Sequence, residues 1–240
     1  MKKAAKDYIV FPLDVPSLDE AMSYVKRLKN HVGLFKVGLE LFISEGPLIL
    51  KAIRETGGAG IFLDLKLHDI PATVKRAFLA ASRYGPEYVS IHCDEGDNIF
   101  RSVAENNPGN TRILAITLLT SLNQKNLEQL GFAPKYVRDL SQLVVLKARM
   151  AKEAGCHGIV CSGHEVARIK SEVRGGLIVM TPGIRPEWAE VGQDDQKRTV
   201  TPCSAIRNGA DFLVIGRPIR DAKDPQDAAK RVSEEIEKVI

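Results

Sequence analysis

The chain is predicted to fold as an α/β protein, a (β/α)8 TIM barrel in a single domain spanning residues 1–240. Three observations predict it. Short apolar runs recur eight times, stretches with helical spacing separate them, and no Pro/Ser-rich linker or shift in composition divides the chain. The runs are rich in Val, Ile, Leu and Phe and alternate poorly with polar residues, as strands buried on both faces of a parallel sheet do. Eight such strand–helix units fit the roughly 250 residues of one barrel. A doubly wound open sheet is the structural alternative.

In chain order the strands are expected at Tyr8–Leu13, Leu34–Val37, Ile61–Leu65, Tyr88–His92, Ile113–Leu118, Gly158–Cys161, Leu177–Thr181 and Phe212–Ile215. Ser17 is placed to cap a helix running through Lys29, with Glu20 as its capping-box partner. Pro71 suits the first turn of a helix that reaches Arg83 and stops at Gly85-Pro86. Tyr136 to Ala154 reads as one long amphipathic helix closed by Gly155. The last helix, Pro225 to Val239, carries Ala228, Ala229, Val232, Ile236 and Val239 on one stripe.

Composition excludes several classes. A hydrophobic fraction of 44% lets the chain bury enough apolar surface to offset its ordering entropy, so intrinsic disorder is excluded. Four cysteines are too few for a disulfide scaffold. They are Cys93, Cys156, Cys161 and Cys203, without C-x-x-C spacing, and Cys93 and Cys161 end apolar runs as buried reduced thiols do. The net charge of +4 is mild and reads as solubility rather than a nucleic-acid surface. The basic residues at 147–152 and 168–174 read as solvated helix faces. Near the N-terminus the apolar stretch is only Tyr8–Leu13, too short for a secretory signal. No run approaches the roughly 18 residues of a membrane span. A cytoplasmic protein is expected.

Charges gather where the strands end. Asp14 follows the first strand, Lys36 lies inside the second, Asp64 and Lys66 end the third, Asp69 follows on its loop before Pro71, and Arg217 follows the eighth. Charges in apolar strands are costly unless paired, and the carboxyl ends of barrel strands are where catalytic groups collect. Residues two apart on a strand share a side, so Asp64 sits beside Lys66. Asp14 and Lys36 are placed to extend the pair into an alternating Asp–Lys–Asp–Lys array. One reading is an ion-pair network of the barrel core without chemistry. The other is a lysine kept as ammonium by flanking carboxylates, able to donate a proton to a carbanion as it forms.

A second cluster follows the seventh and eighth strands: TPGIR at 181–185, DDQKR at 194–198 and IGRP at 215–218. Barrels often bind phosphate there. Gly183 and Gly216 allow close backbone approach, Arg185 and Arg217 offer planar forks, and Gln196 is an uncharged donor. The polar loop from Pro186 to Thr201 taken alone reads either as a lid or as solvated surface; beside TPGIR and IGRP in barrel register the lid is the favoured reading, and Trp188 within it either covers the site or packs. His68 and His92 lack further ligands at metal spacing, so loop packing and a core position are expected of them.

These segments, with PLDV at 12–15, FKVGLELF at 35–42, FLDLKLHDIPATV at 62–74 and LTS at 119–121, resemble the orotidine 5'-phosphate decarboxylase family of bacterial type, in the family's order and over nearly the whole chain. The resemblance implies conversion of orotidine 5'-phosphate to UMP and CO2 without metal or organic cofactor. It also implies a homodimer with active sites at the subunit interface. By resemblance, Lys66 is the proton donor to C6 and Asp64 faces the substrate carboxylate. Lys36 supports the array and contacts ribose, and Asp14 is a second ribose contact. Asp69 and Thr73 match positions that reach into the partner's site, and Thr120 matches a contact to the pyrimidine. Arg185, Gln196, Gly216 and Arg217 match a phosphate grip. Two rivals share parts of the pattern. A magnesium-dependent keto-sugar-phosphate decarboxylase or aldolase shares D-x-K-x-x-D, and a non-catalytic nucleotide-binding barrel has use for the arginines but not for Asp64 and Lys66.

Overall fold

Eight parallel strands pair in sequence order and close on themselves: β1 (Ile9–Pro12), β2 (Leu34–Val37), β3 (Gly60–Leu67), β4 (Tyr88–His92), β5 (Arg112–Ile116), β6 (Gly158–Val160), β7 (Ile178–Thr181) and β8 (Phe212–Val214). The computed structural model describes residues 3–189 and 198–240. Strand β1 pairs with β2 on one side and with β8 on the other, so the sheet has no edge and the open-sheet alternative falls. Expected and observed bounds agree for β2 and β4. Strand β1 starts one residue late because Ala5–Tyr8 forms a 3-10 turn. Strand β3 runs on to Leu67 through an irregularity described below.

Side chains alternate between the two faces of each strand. One set forms the inner core: Val10, Leu34, Phe62, Tyr88, Leu114 and Met180. The other set, including Phe11, Phe35, Leu63, Val89 and Val179, joins the outer core with helix residues such as Val25, Ile53 and Phe78. Both faces are apolar, which explains runs without alternation. Two residues beyond the inner core, toward the carboxyl ends, the same inward face carries Pro12, Lys36, Asp64 and Ser90. Strand periodicity alone therefore aims these side chains at one mouth of the barrel.

The helices depart from expectation in places. The first, Leu18–Leu28, is capped by Ser17, whose Oγ accepts from Glu20 N at 3.4 Å; a different carboxylate, Glu45, takes the Leu18 N–H at 2.9 Å. Pro71–Ser82 and Pro225–Glu237 form as expected. The single helix expected over Tyr136 to Ala154 is two, Pro134–Arg138 and Leu140–Glu153. Asp139 breaks it: its extended backbone ends the first, and its carboxylate accepts from Ser141 N at 3.1 Å to start the second. The basic residue Lys147 is not on a solvated face. It is 7% exposed, ion-paired to Asp94, and donates to Thr117 O at 2.8 Å. Arg149, Arg168 and Lys170 pair with Glu172, Asp139 and Asp211. Among the described residues no helix is long and apolar enough to cross a membrane.

Candidate active site at the carboxyl ends of the strands

The four inward charges form one chain of ion pairs. Lys36 Nζ lies 2.9 Å from Asp14 Oδ1 and 3.7 Å from Asp64 Oδ2, and Lys66 Nζ lies 2.7 Å from the same Asp64 oxygen. The order along the chain is Asp14, Lys36, Asp64, Lys66, as the alternating array requires. Side-chain exposure runs 51%, 12%, 8% and 32% in that order, so the middle is dry and the two ends face solvent. Burial disfavours the charge on Lys36, but the carboxylates of Asp64 and Asp14 outweigh it and hold its pKa above the ordinary lysine value. Burial likewise disfavours the Asp64 carboxylate, but Lys36 and Lys66 outweigh that, and its pKa is lowered. Both central groups are charged at neutral pH.

Lys66 reaches Asp64 by a route that simple alternation does not describe. Register between β3 and β4 shifts between Leu63 and Leu67, and four residues on β3 span two on β4. Lys66 sits in this bulge with φ 48, a left-handed conformation that disfavours a side chain by about 1–2 kcal/mol. Ser90 holds it there. Its Oγ accepts from Lys66 N at 2.8 Å and donates to Asp64 Oδ1 at 2.8 Å. Ser90 is fully buried, and no charge or motif in the sequence marks it as a site residue. Its signal was available: it stands two positions beyond the inward Tyr88. Gly38 was missed too. A Cβ there would lie 3.0 Å from Lys36 Nζ and 3.4 Å from Asp14 Oδ1, so the bare glycine leaves the pair its space.

A cleft of about 530 Å3 opens over this chain of charges, a size suited to a small-molecule ligand. Its lining includes the acidic and basic residues Asp14, Lys36, Asp64 and Lys66, together with Gly183, Arg185, Gly216, Arg217 and Arg220. Thr120, 8% exposed, lines it between them in sequence. Gly183 has φ 75, which a side chain would strain. Its carbonyl accepts from Val200 N at 3.1 Å, and Arg185 N donates to Val200 O at 2.9 Å, which pins the base of the loop. Arg220 was not foreseen. It donates to the Asp14 backbone carbonyl at 3.3 Å and to Asp221 Oδ1 at 2.7 Å, so one cleft arginine is tied to the start of the ion-pair chain.

Some expected site residues do not line this cleft. Asp69 and Thr73 are not in the cleft lining. Asp69 is exposed and accepts from Ile70 N at 2.6 Å, and Thr73 is half-buried on the following helix. Gln196 lies outside the described residues. Trp188 packs away from the site: its Nε1 donates to Glu235 and Arg231 stacks 4.0 Å from its ring. His68 pairs with Glu95, its ring 5.4 Å from that of His92, and His92 Nδ1 is 2.7 Å from Asp94 Oδ2. Cys161 lines the cleft but is buried, which pushes its thiol well above the usual range and leaves it inert as a nucleophile. Among the described residues no group of three His, Cys, Asp or Glu side chains is arranged to hold a metal ion.

Residues 7–232 match the orotidine 5'-phosphate decarboxylase / HUMPS family model. The chain belongs to this family. It is 46% identical over 239 residues to the orotidine 5'-phosphate decarboxylase of Desulfosudis oleivorans, covering 99% of this chain and 96% of that one. It is 43% identical over 234 residues to the enzyme of the same name from Methylococcus capsulatus, covering 98% and 93%. The crystal structure of orotidine 5'-phosphate decarboxylase from Lactobacillus acidophilus superposes with a TM-score of 0.81 at 29% identity, covering 95% of this chain and 98% of that one. Family membership therefore extends over the whole barrel, and the ion-pair chain and the cationic cleft both fall within the matched residues.

Proposed function

We propose that this chain decarboxylates orotidine 5'-phosphate to UMP and CO2, the last step of de novo UMP synthesis, with no metal or organic cofactor. The observation that carries the reading is the Asp14–Lys36–Asp64–Lys66 chain of ion pairs beneath a cleft with three arginines, in a member of this family. Loss of CO2 from C6 leaves an electron pair in an sp2 orbital that the pyrimidine ring cannot readily delocalise. The protein's task is then to stabilise that charge and deliver a proton to it.

Lys66 is the group suited to both. Its ammonium is held beside Asp64 yet is 32% exposed toward the cleft, so it faces the developing carbanion and donates its proton there. The C–C bond breaks, its electrons stay on C6, and the Lys66 proton completes the new C–H bond. Asp64 faces the substrate carboxylate, and departure of neutral CO2 relieves their repulsion. Lys36 keeps Asp64 charged and contacts the ribose with Asp14, while Thr120 contacts the pyrimidine. Arg185, Gln196, Gly216 and Arg217 grip the phosphate, whose binding energy organises the array at a distance from C6.

The same reading makes the protein a cytoplasmic homodimer in which Asp69 and Thr73 reach the partner's site. Two observations support the dimer. Both residues lie outside their own cleft, and large apolar side chains stand exposed on the segments that follow β2 and β3: Leu39, Ile43, Leu48, Ile70 and Tyr84. Leu48 and Tyr84 line one surface hollow, and exposed apolar surface of this kind marks protein contacts.

The test is the ultraviolet spectrum of orotidine 5'-phosphate mixed with the purified protein in EDTA. Loss of the substrate band with UMP as product is expected. A folded protein that turns over only when magnesium is restored would mark a metal-dependent enzyme of the same family instead.

A further inference from the structure

A buried ion pair stands apart from both the cleft lining and the chain of charges. Arg198 Nη1 donates to Glu165 Oε1, and the two side chains are only 15% and 5% exposed. Neither lines the cleft. Glu165 stands at the start of the helix Val166–Glu172, on the loop after β6. Taking both charges out of water is costly, and an apolar pair of similar size serves stability at least as well. A positional role accounts for the pair better than a stabilising one.

The surroundings show what it positions. Two residues beyond Arg198, Val200 is bonded through its backbone to Gly183 O and Arg185 N, and Ile184 and Val200 form a bridge. On its other side Val200 presses on Gly163, where a Cβ would come within 2.2 Å of Val200 Cγ2. Residues 198–200 are thus wedged between the loop after β6 and the loop after β7 that carries Arg185. The ion pair fixes one end of this wedge to the β6 loop, and the Val200 bonds pass the position on to Arg185. We propose that Glu165 and Arg198 are positioning residues that hold Arg185 in place to bind the substrate phosphate, without touching the ligand themselves. This inference rests on the phosphate reading of the cleft.

The experiment compares wild type with R198M and E165Q, each as the full purified chain, for inhibition by UMP and by uridine and for turnover of orotidine 5'-phosphate. The ratio of uridine to UMP inhibition constants isolates the phosphate contribution. Both variants are expected to lose about tenfold or more of that ratio with the uridine constant unchanged, the signature of a displaced phosphate contact. Circular dichroism establishes folding, and if R198M does not fold, R198K and E165Q decide by the same ratio. Folded variants whose ratio stays within about twofold of wild type, or that lose uridine and UMP affinity equally, overturn the inference. A wild type without turnover removes the functional reading and this inference with it. An active wild type whose variants keep the ratio removes the inference alone.

Discussion

Ser90 Oγ donates to Asp64 Oδ1 at 2.8 Å while accepting from the backbone N–H of Lys66 at the same distance. One buried hydroxyl thus fixes both the carboxylate and the strained backbone of the lysine beside it. Removing it leaves a buried carboxylate oxygen and a backbone N–H without this partner, at a cost of about 1–3 kcal/mol. S90A is therefore expected to lower unfolding stability by that amount in urea titrations. Turnover is expected to fall about tenfold or more while UMP affinity holds, because the hydroxyl orders the reacting groups rather than the phosphate. Wild-type turnover in S90A would show that the bulge holds itself.

The lowered pKa of Asp64 gives the fold a definite acid response. Its pairing contributes stability that is present above the unfolded carboxylate value of about 3.9 and is lost as pH falls through the lower folded value. Lys36 is the converse. Its raised pKa contributes stability present below about 10.4 and lost as pH rises through the higher folded value. Between these limits both groups are charged. D64N leaves two ammonium groups without their shared partner and is expected to cost about 3–5 kcal/mol at neutral pH. Urea unfolding should show a constant gap between wild type and D64N from about pH 5 to pH 8, narrowing in acid below about pH 4. A gap that stays full in strong acid would contradict the pairing.

Arg217 lines the cleft, and its proposed role is to bind the phosphate alone. R217A is expected to reduce kcat/KM for orotidine 5'-phosphate by about a hundredfold or more while leaving turnover of the phosphate-free nucleoside nearly unchanged. Equal losses on the two substrates would end that division of labour.

The proposed sharing of Asp69 across a dimer predicts complementation. D69A and K66A are each expected to be inactive. After unfolding and refolding together, mixed dimers hold one site with both native residues, and about a quarter of wild-type sites return. No recovery in a refolded mixture that contains mixed dimers would place Asp69 in its own subunit or outside catalysis.

Much of this was legible in the sequence, and the exceptions have physical causes. Strands buried on both faces announce themselves as unbroken apolar runs, so β2 and β4 were bounded correctly. The charges at 14, 36, 64 and 66 were legible because charge inside an apolar strand needs a reason. Ser90 drew no notice because a lone serine in YVSIH is unremarkable until Tyr88 is known to point inward. The break at Asp139 was hidden because the apolar periodicity runs straight through it, and Arg168, from a later helix, binds the capping carboxylate. Helices Leu39–Glu45 and Leu48–Thr56 leave a weak sequence signal, since they are short and Gly46-Pro47 interrupts their pattern. Lys147 read as surface because its partner Asp94 is 53 residues away.

The central claim is that Lys66 delivers the proton to C6, and its most direct measurement compares K66A with wild type in EDTA. Orotidine 5'-phosphate absorbance and UMP affinity are followed on the same samples. The account predicts rapid loss of the substrate spectrum with wild type and none with a folded K66A that still binds UMP. Turnover by K66A near the wild-type rate would contradict it.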